Sequence, residues 1–466
     1  MLSKLPVELL LSIASYLDNH TDTLRFASSC RAFYQLLLPG VFTSLDLTEC
    51  RNGQLSHLVH TLASRPELAQ EVRTLSVSHG WRPPAGVRYE QEVILPILNP
   101  VLECWDSLSN WDWELQTEGN NDAWTVLLLT LLPNLEDLFL EIHDFSNYTL
   151  EWMSRVGYRL NPGLSKLKHF TAVCSDVDGG HSSIQFTAIL QFPSLRTFSG
   201  HWVCDEEDPD EEDFEDEEGH DVASYVPDSS NVTHIHLKSS CSRKGFWNMI
   251  GAAKRLESFV LEHAGNPTYA DDEGVHASSY YQPLQKHRET LQTLTLTDKR
   301  TNNYTAHQIV DYDYVGSFAG FSALKELRMQ ICHILDWDGD LDMPLNNGFS
   351  DVLPLSLESL TLDGLEEYQT PHLAEAFKDF FSGGRCRCPN LTYLEVKGNW
   401  MHVQQSTEES NAKPRPIPAM LKAFAAFKVK LEVLCSAAGV EFRLRDLHVE
   451  DIIQQNALYD FESDAL

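Results

Sequence analysis

A short apolar pattern recurs along most of this sequence and limits the folds that the chain can adopt. In each copy an apolar residue is followed three and five positions later by two more. Successive side chains point to opposite faces of a β-strand, so the end of each copy predicts a short strand with one buried face. The copies are Phe42/Leu45/Leu47, Val72/Leu75/Val77, Leu135/Leu138/Leu140, Leu167/Phe170/Ala172, Leu195/Phe198/Gly200, Val232/Ile235/Leu237, Leu256/Phe259/Leu261, Leu291/Leu294/Leu296, Leu324/Leu327/Met329, Leu357/Leu360/Leu362, Leu391/Leu394/Val396 and, more weakly, Leu431/Leu434/Ser436.

The chain between two copies must return to the start of the next strand, and several of these segments have helix patterns. In the clearest case, 370–381, Pro371 suits the first helical turn and apolar residues recur on one face. Similar patterns predict helices over 122–132, 183–191, 246–253 and 419–427. The 63 residues that separate Val72 from Leu135 predict one further repeat unit around 108–115.

This alternation of strands and helices resembles the long, irregular form of the leucine-rich-repeat superfamily over residues 42–445. The resemblance implies an α/β fold, a β/α solenoid whose concave strand face is the usual recognition surface. The asparagine typical of such repeats is mostly absent, and Thr48, His79 or Asp298 occur near its position. An ordinary α/β domain, whose parallel strands also alternate with helices, is the alternative.

The first 41 residues lack the repeat pattern and predict a small helical module. Leu9, Ile13, Tyr16 and Leu17 form one apolar stripe at helical spacing, and a second stripe lies within 24–34. About forty residues are too few for a self-sufficient core. At least one face of the module therefore requires a partner or the following domain.

This module resembles the F-box, through which substrate receptors dock on the Skp-type adaptor of Skp–cullin–F-box ubiquitin ligases. The resemblance rests on the residues Leu5-Pro6-x-Glu8-Leu9, Ile13, Tyr16-Leu17 and Cys30-Arg31-x-Phe33-Tyr34. It implies that the following residues are divided between the adaptor interface and a small internal core: Leu5, Pro6, Leu9, Ile13, Leu17, Leu24, Phe26, Ala27, Cys30, Arg31 and Leu37. Leu5 and Pro6 rank first for the interface, whereas Phe33 and Tyr34 are expected to pack internally or on the first repeat. The alternative is a helical cap on the open end of the solenoid.

The predicted organisation is a helical F-box at 1–41, a repeat array at 42–445 and a C-terminal tail at 446–466. An acidic run at 205–221 holds 13 carboxylates in 17 residues. Because charges at this density repel one another, the run predicts a disordered, solubilising insertion. Attraction of a basic substrate is the alternative role.

Composition excludes several classes of partner. The net charge of −33 opposes the phosphate neutralisation that binders of nucleic acids and anionic membranes require. The ten cysteines lack zinc-type paired spacing and predict reduced, packed thiols. No apolar run approaches the roughly 18 residues of a membrane helix, and no secretory leader is expected. We therefore expect a soluble protein of the cytoplasm, the nucleus or both.

No motif in the sequence assembles a catalytic or metal site. Phosphate-binding glycine loops, G-x-S-x-G and H-E-x-x-H are absent. The alternating aspartates from Asp336 to Asp342 resemble a calcium loop, but its twelfth position is Asn347 instead of glutamate, so a solvated turn is expected. We expect no cofactor and no catalysis. An enzyme with a dispersed active site is the alternative.

Together these features predict a non-catalytic substrate receptor of a ubiquitin ligase. The N-terminal module would bind a Skp-type adaptor and, through it, a cullin, and the strand face of the array would bind a protein target. Residues that alternate with buried strand positions are the candidate target-binding residues: His234, His236, Thr293, Thr295, Glu326, Arg328, Thr361, Tyr393 and Glu395. The alternative is a non-ligase scaffold whose N-terminal helices cap the solenoid.

Overall fold

The protein is described by a computed structural model that covers most of the chain. The described residues are 5–17, 20–48, 54–78, 90–102, 111, 115, 121–142, 148–159, 163–174, 180–205, 226–242, 244–263, 276–298, 313–336, 345–382, 386–398 and 418–446. The predicted acidic insertion lies outside them except for Asp205, and so does the tail beyond Asp446. The chain divides into two compact units, Met1–Gly200 with Asp216–Val232 and His201–Glu215 with Thr233–Leu466.

The first unit begins with the predicted helical module. It consists of helices α1 (Val7–Ala14), α2 (His20–Ser28) and α3 (Arg31–Val41). The second apolar stripe of the sequence does not form one continuous helix. Cys30 is extended, with φ −159° and ψ 159°, and it separates α2 from α3.

The core of the module is small. Leu10, Ala27, Phe33 and Leu37 are buried together, and the rings of Phe26 and Phe33 lie 5.1 Å apart between centroids. The residues that pack partly buried against this cluster are Leu5, Ala14, Phe26, Cys30 and Leu36. So few buried side chains agree with the expectation that the module alone has too little core.

The repeat region of the first unit alternates strands with helices. Its helices are α4 (Gln54–Ser64), α5 (Pro66–Ala69), α6 (Gln91–Leu102), α7 (Asn121–Thr130), α8 (Tyr148–Arg159) and α9 (Ser183–Ile189), and its strands are β1 (Ser44–Leu47), β2 (Thr74–Val77), β3 (Asp137–Ile142), β4 (His169–Cys174), β5 (His181–Ser182) and β6 (Thr197–His201). The main sheet has the order β1-β2-β3-β4-β6. Pairing from β1 to β4 is parallel.

The apolar pattern sets the strand register in this unit. Leu138 of β3 lies beside Leu75 of β2 and Phe170 of β4, which hold the same position in their copies. All three side chains are buried. The further unit predicted around 108–115 is wrong, because β2 pairs directly with β3. Helices α6 and α7 account for much of the extra length between these strands.

The second unit repeats the arrangement. Its strands are β7 (Val203–Cys204), β8 (His234–Ser240), β9 (Ser258–His263), β10 (Thr293–Asp298), β11 (Glu326–Gln330), β12 (Ser359–Leu365), β13 (Tyr393–Gly398) and β14 (Glu441–Asp446), and its helices are α10 (Trp247–Ala252), α11 (Ala277–Gln285), α12 (Ile331–Ile334), α13 (Phe349–Val352), α14 (Thr370–Phe380) and α15 (Pro418–Ala438), with a short 3₁₀ turn at Glu367–Gln369. Strands β8 to β14 pair in chain order, all in parallel.

The last copy of the pattern was wrongly predicted as a strand. Leu431 and Cys435 are both buried and stand one helical turn apart in α15, which extends well beyond the predicted 419–427. Gly439, at φ +76°, follows the helix in the left-handed conformation that ends many helices. The final strand is β14, where Phe442 and Leu444 pair with the buried Leu394 and Val396 of β13.

The predicted fold class is confirmed as a mixed α/β chain with N-terminal helices followed by repeated parallel strands and helices. The other predicted helices also form, with shorter bounds than the patterns indicated. In α14, Pro371 occupies the first turn as expected, and the buried Phe377 stacks on Phe349 of α13 with ring centroids 4.4 Å apart.

Candidate functional site

Helix α1 carries apolar side chains on faces that the module does not cover. Leu9 is 50% exposed and Ile13 is 38% exposed, one helical turn apart, and Val7 and Leu11 are exposed at similar levels. Leu10, between them in the sequence, points into the module core. Exposed apolar side chains at this density on one short helix indicate an interaction site.

Pro6 sets the start of this surface. It is the N-terminal flanking residue of α1, with φ −55° and ψ 150°, and its carbonyl oxygen accepts hydrogen bonds from the backbone N–H groups of Leu9 and Leu10 at 3.1 and 3.2 Å. Its side chain is exposed. The backbone of Pro6 is thereby fixed to the first turn, which holds Leu9 in place.

The structure separates the predicted adaptor-binding residues into three groups. Pro6, Leu9, Ile13, Leu24 and Arg31 are exposed, and Leu5, Leu17, Phe26 and Cys30 are half-buried. Ala27 is 0% exposed and belongs to the internal core, so its side chain cannot contribute to an interface in this arrangement.

Tyr34 adopts the second of the two expected arrangements. Its side chain is 40% exposed and interacts with the side chain of Arg65, which lies between α4 and α5 of the repeat region. Phe33, one residue earlier, is buried as predicted. The helical turn of α3 explains this difference, because neighbouring residues on a helix point about 100° apart.

The candidate target-binding residues lie on one face of strands β8 and β10 to β13. In each strand they alternate with side chains that are buried beneath the sheet. Strand pairing aligns them in two rows: Thr293, Glu326 and Tyr393 in one, with Ser359 of β12 between the last two, and Thr295, Arg328, Thr361 and Glu395 in the other. His234 and His236 are on β8 at the corresponding levels. The sequence pattern thus identified a continuous face in the second unit.

Ion pairs organise the charged part of this face. The Arg328 Nε donates to Asp363 Oδ2 at 2.8 Å. Burial raises the pKa of the Asp363 carboxyl, while the charges of Arg328 and Lys397 act in the opposite direction. Arg328 itself stays partly exposed, so this pair holds a guanidinium at the surface.

Glu395 differs from the other candidates because it is 7% exposed. It forms ion pairs with Arg445 at 2.9 Å and with Lys397 at 3.7 Å. The Arg443 guanidinium lies over the Tyr393 ring, 5.4 Å from its centroid, which is a cation–π contact. The role of Glu395 in this geometry is to position basic side chains.

Sequence reasoning missed Arg443 and Arg445. Both are on β14. The sequence pattern had predicted the last strand at Leu431 instead, and Leu431 lies in the preceding helix α15. A signal was available, because Phe442 and Leu444 alternate with the two arginines as strand residues do.

The histidine end of the face is less charged. The His234 and His236 rings are 6.3 Å apart between centroids, and His236 Nε2 lies 3.3 Å from Ser258 Oγ. Burial lowers the pKa of His236, and the neighbouring His234 and Lys238 lower it further. Because an unperturbed histidine titrates near 6.5, His236 is neutral at pH 7.

The buried thiol that follows β11 has a perturbed pKa. Burial raises the pKa of the Cys332 thiol to about 12, which keeps it protonated and weakly nucleophilic. Among the residues that the structure covers, no three His, Cys, Asp or Glu side chains come together as candidate metal ligands. No helix within the covered segments is long and apolar enough to cross a membrane. The face offers hydrogen bonds, charges and aromatic contacts, which are the means of protein recognition.

Two protein-family models match the chain. Residues 48–438 match a leucine-rich repeat domain, and residues 2–48 match an F-box-like domain. Both resemblances inferred from the residues are thereby confirmed. No curated protein matches the chain.

Proposed function

The chain belongs to the leucine-rich repeat domain family and carries an F-box-like domain, and on this basis we propose that it is a substrate-recognition subunit of a Skp–cullin–F-box ubiquitin ligase. The F-box-like module binds a Skp-type adaptor, and through it a cullin. The repeat region binds a protein target. The protein acts in the cytoplasm, the nucleus or both.

The observation that carries the proposal is the exposed apolar surface of α1. Pro6, Leu9 and Ile13 are all exposed, while Leu10 lies in the buried cluster with Ala27, Phe33 and Leu37. If the module only capped the repeats, its apolar side chains would be expected against the first strand. Covering Leu9 and Ile13 with a partner removes apolar area from water, which stabilises the complex by about 25 cal/mol per Å².

The strand face of the second unit is the proposed target surface. The histidine pair on β8, the threonines of β10 and the charged residues of β11 to β14 give it polar groups of both signs. This mixture suits a protein or peptide with its own mixed charges. Arg328 and Tyr393 are the types of residue that contribute most to binding energy at interfaces.

The proposed subunit performs no chemistry. By holding a target close to the charged ubiquitin carrier, it raises the effective concentration of the target's lysines. The rate gain then comes from proximity and orientation.

Affinity purification of the full chain tests both halves of the proposal. Deletion of residues 1–40 should abolish recovery of a Skp-type adaptor and leave target recovery unchanged. Thr295→Arg places a long charged side chain in the middle of the proposed target face, and should reduce target recovery without affecting the adaptor. An intact chain that recovers no Skp-type adaptor would refute the ligase assignment.

The second candidate function is a repeat scaffold outside a ligase. Leu5 and Phe26 favour this alternative, because both are half-buried against the module's own core and so offer less surface to an adaptor. A scaffold whose helices only cap the repeats should lose cooperative melting on deletion of residues 1–40, with no adaptor recovered from either form.

A further inference from the structure

Two cysteines of the second unit lie in contact although they are 37 positions apart in the sequence. Cys204 Sγ and Cys241 Sγ are 2.9 Å apart, and both side chains are buried, with exposed fractions of 9% and 1%. From their positions in the sequence these cysteines were expected to be separate packed thiols. We propose that Cys204 and Cys241 are an oxidation site, and that a peroxide-class oxidant joins them in a disulfide.

Backbone pairing holds the two residues in register. Cys204 and Cys241 form a parallel β-bridge. The Cys241 N–H donates to the Val203 carbonyl at 3.1 Å, and the Asp205 N–H donates to the Cys241 carbonyl at 3.0 Å. Paired strands lie about 4.7–4.9 Å apart, which is within the 4.4–6.8 Å range of Cα distances in disulfides. The spacing of paired strands is therefore compatible with a disulfide, and the two sulfurs must approach by about 0.9 Å for the bond to form.

Two residues with unusual backbone conformations precede the bridge. Trp202 and Ser239 have φ values of +59° and +47°, a left-handed region that costs free energy for any residue except glycine. Each precedes one of the bridged cysteines by two residues, and each redirects the chain at that point. On the far side, Asp205 Oδ2 accepts hydrogen bonds from Ser242 Oγ and the Phe246 N–H, both at 2.9 Å. The cysteine pair is thus fixed on both sides.

The chemistry requires one equivalent of hydrogen peroxide. The Cys204 sulfur, the more exposed of the two, attacks a peroxide oxygen as its thiolate, so the O–O bond breaks, a sulfenic acid forms and the released hydroxide takes a proton to become water. The Cys241 sulfur then attacks the Cys204 sulfur, the S–O bond breaks, and a second water leaves. Two thiols lose two electrons in total and the peroxide gains them. The disulfide closes a covalent loop that contains the acidic run at 205–221.

Trypsin cleavage sites make the bond directly observable. Cleavage after Arg196, Lys238 and Arg243 places Cys204 in peptide 197–238 and Cys241 in peptide 239–243. The full chain is reduced, freed of reductant, treated with hydrogen peroxide, alkylated under denaturing conditions and digested. Mass spectrometry should find the two peptides linked, and reduction should release them. Oxidation should also raise the melting midpoint by about 5 °C, since a disulfide restricts the unfolded chain.

Three variants complete the experiment. Cys204→Ser and Cys241→Ser should each abolish the linked peptide and the peroxide-dependent rise in melting midpoint. Cys332→Ser is the matched control, because Cys332 is another buried thiol of the same unit and its Sγ lies 3.5 Å from Gln330 Oε1; this variant should behave as the wild type. The proposal is overturned if peroxide leaves both cysteines of the wild type alkylated, or converts Cys204 to sulfinic acid without a linked peptide.

Discussion

Leu9 and Leu10 are adjacent in α1 and face opposite environments: Leu9 is 50% exposed and Leu10 is 5% exposed. The residues that bury Leu10 are Ala27, Phe33 and Leu37 of the next two helices. One leucine therefore stabilises the module, and the other is available to a partner.

This pair gives a stability prediction. Leu10→Ala should destabilise the N-terminal module by about 2–4 kcal/mol, because it removes buried methyl groups and leaves a cavity. Leu9→Ala should change stability by less than about 0.5 kcal/mol. Hydrogen exchange at the amides of α1 to α3, measured on the full chain, reports the difference. If the two substitutions destabilise the module equally, the claim that the buried Leu10 stabilises it more than the exposed Leu9 is contradicted.

A second prediction concerns Arg328 and Asp363. Arg328→Met leaves the buried Asp363 carboxylate without its 2.8 Å partner, and should destabilise the second unit by about 1–3 kcal/mol at pH 8. The pKa of Asp363 is already raised by burial, and loss of the Arg328 charge raises it further. The folded variant then binds the proton more tightly than the unfolded chain, so the destabilisation should shrink as the pH falls. Urea unfolding at pH 8 and pH 5 measures this, with the exposed pair variant Lys378→Met as control. A pH-independent loss would contradict the argument.

A third prediction concerns Glu366 and the pH dependence of the unfolding free energy. Burial raises the pKa of Glu366 from 4.5 to about 7, so the folded chain favours the protonated carboxyl. Below pH 4.5 the group is protonated in both states, and as the pH rises towards 7 the folded state loses up to about 3 kcal/mol relative to the unfolded state. Glu366→Gln removes this loss. The variant should match the wild type at pH 4 and exceed its unfolding free energy at pH 8, as measured by chemical denaturation.

The result at pH 8 decides the Glu366 prediction. A variant no more stable than the wild type there would show that the Glu366 carboxylate is solvated or paired in the folded chain. The control is Glu367→Gln, which removes one carboxylate at the neighbouring, partly exposed position.

The sequence predicts the burial of a side chain well where the side chain's own strand or helix determines it, and poorly where packing between elements determines it. Leu294 and its equivalents Phe259 and Leu327 are buried by their own strand alternation, so the pattern found them. Leu431, Leu434 and Ser436 matched a weak strand pattern, whereas Leu431 and Cys435 have helical spacing and are the residues that α15 buries. For short apolar runs, periodicity alone does not distinguish these states.

The candidate surfaces were predictable to different degrees. Helix α1 is apolar on nearly every side, so the sequence could not show that Leu10 and not Leu9 would face the core. That choice depends on α2 and α3. The Arg328–Asp363 and Arg445–Glu395 pairs depend on strand register between separate repeats, which no local pattern encodes.

Binding of a purified Skp-type adaptor, measured by titration calorimetry, tests the central claim most directly. The wild-type chain should bind, and the Leu9→Asp/Ile13→Asp double variant should bind at least about 100-fold more weakly, because it places two charges in the apolar contact. The matched control is Val429→Asp/Val433→Asp, at positions of α15 that are 59% and 66% exposed, and it should bind as the wild type does. Equal affinity of the wild type and the α1 double variant would contradict the account.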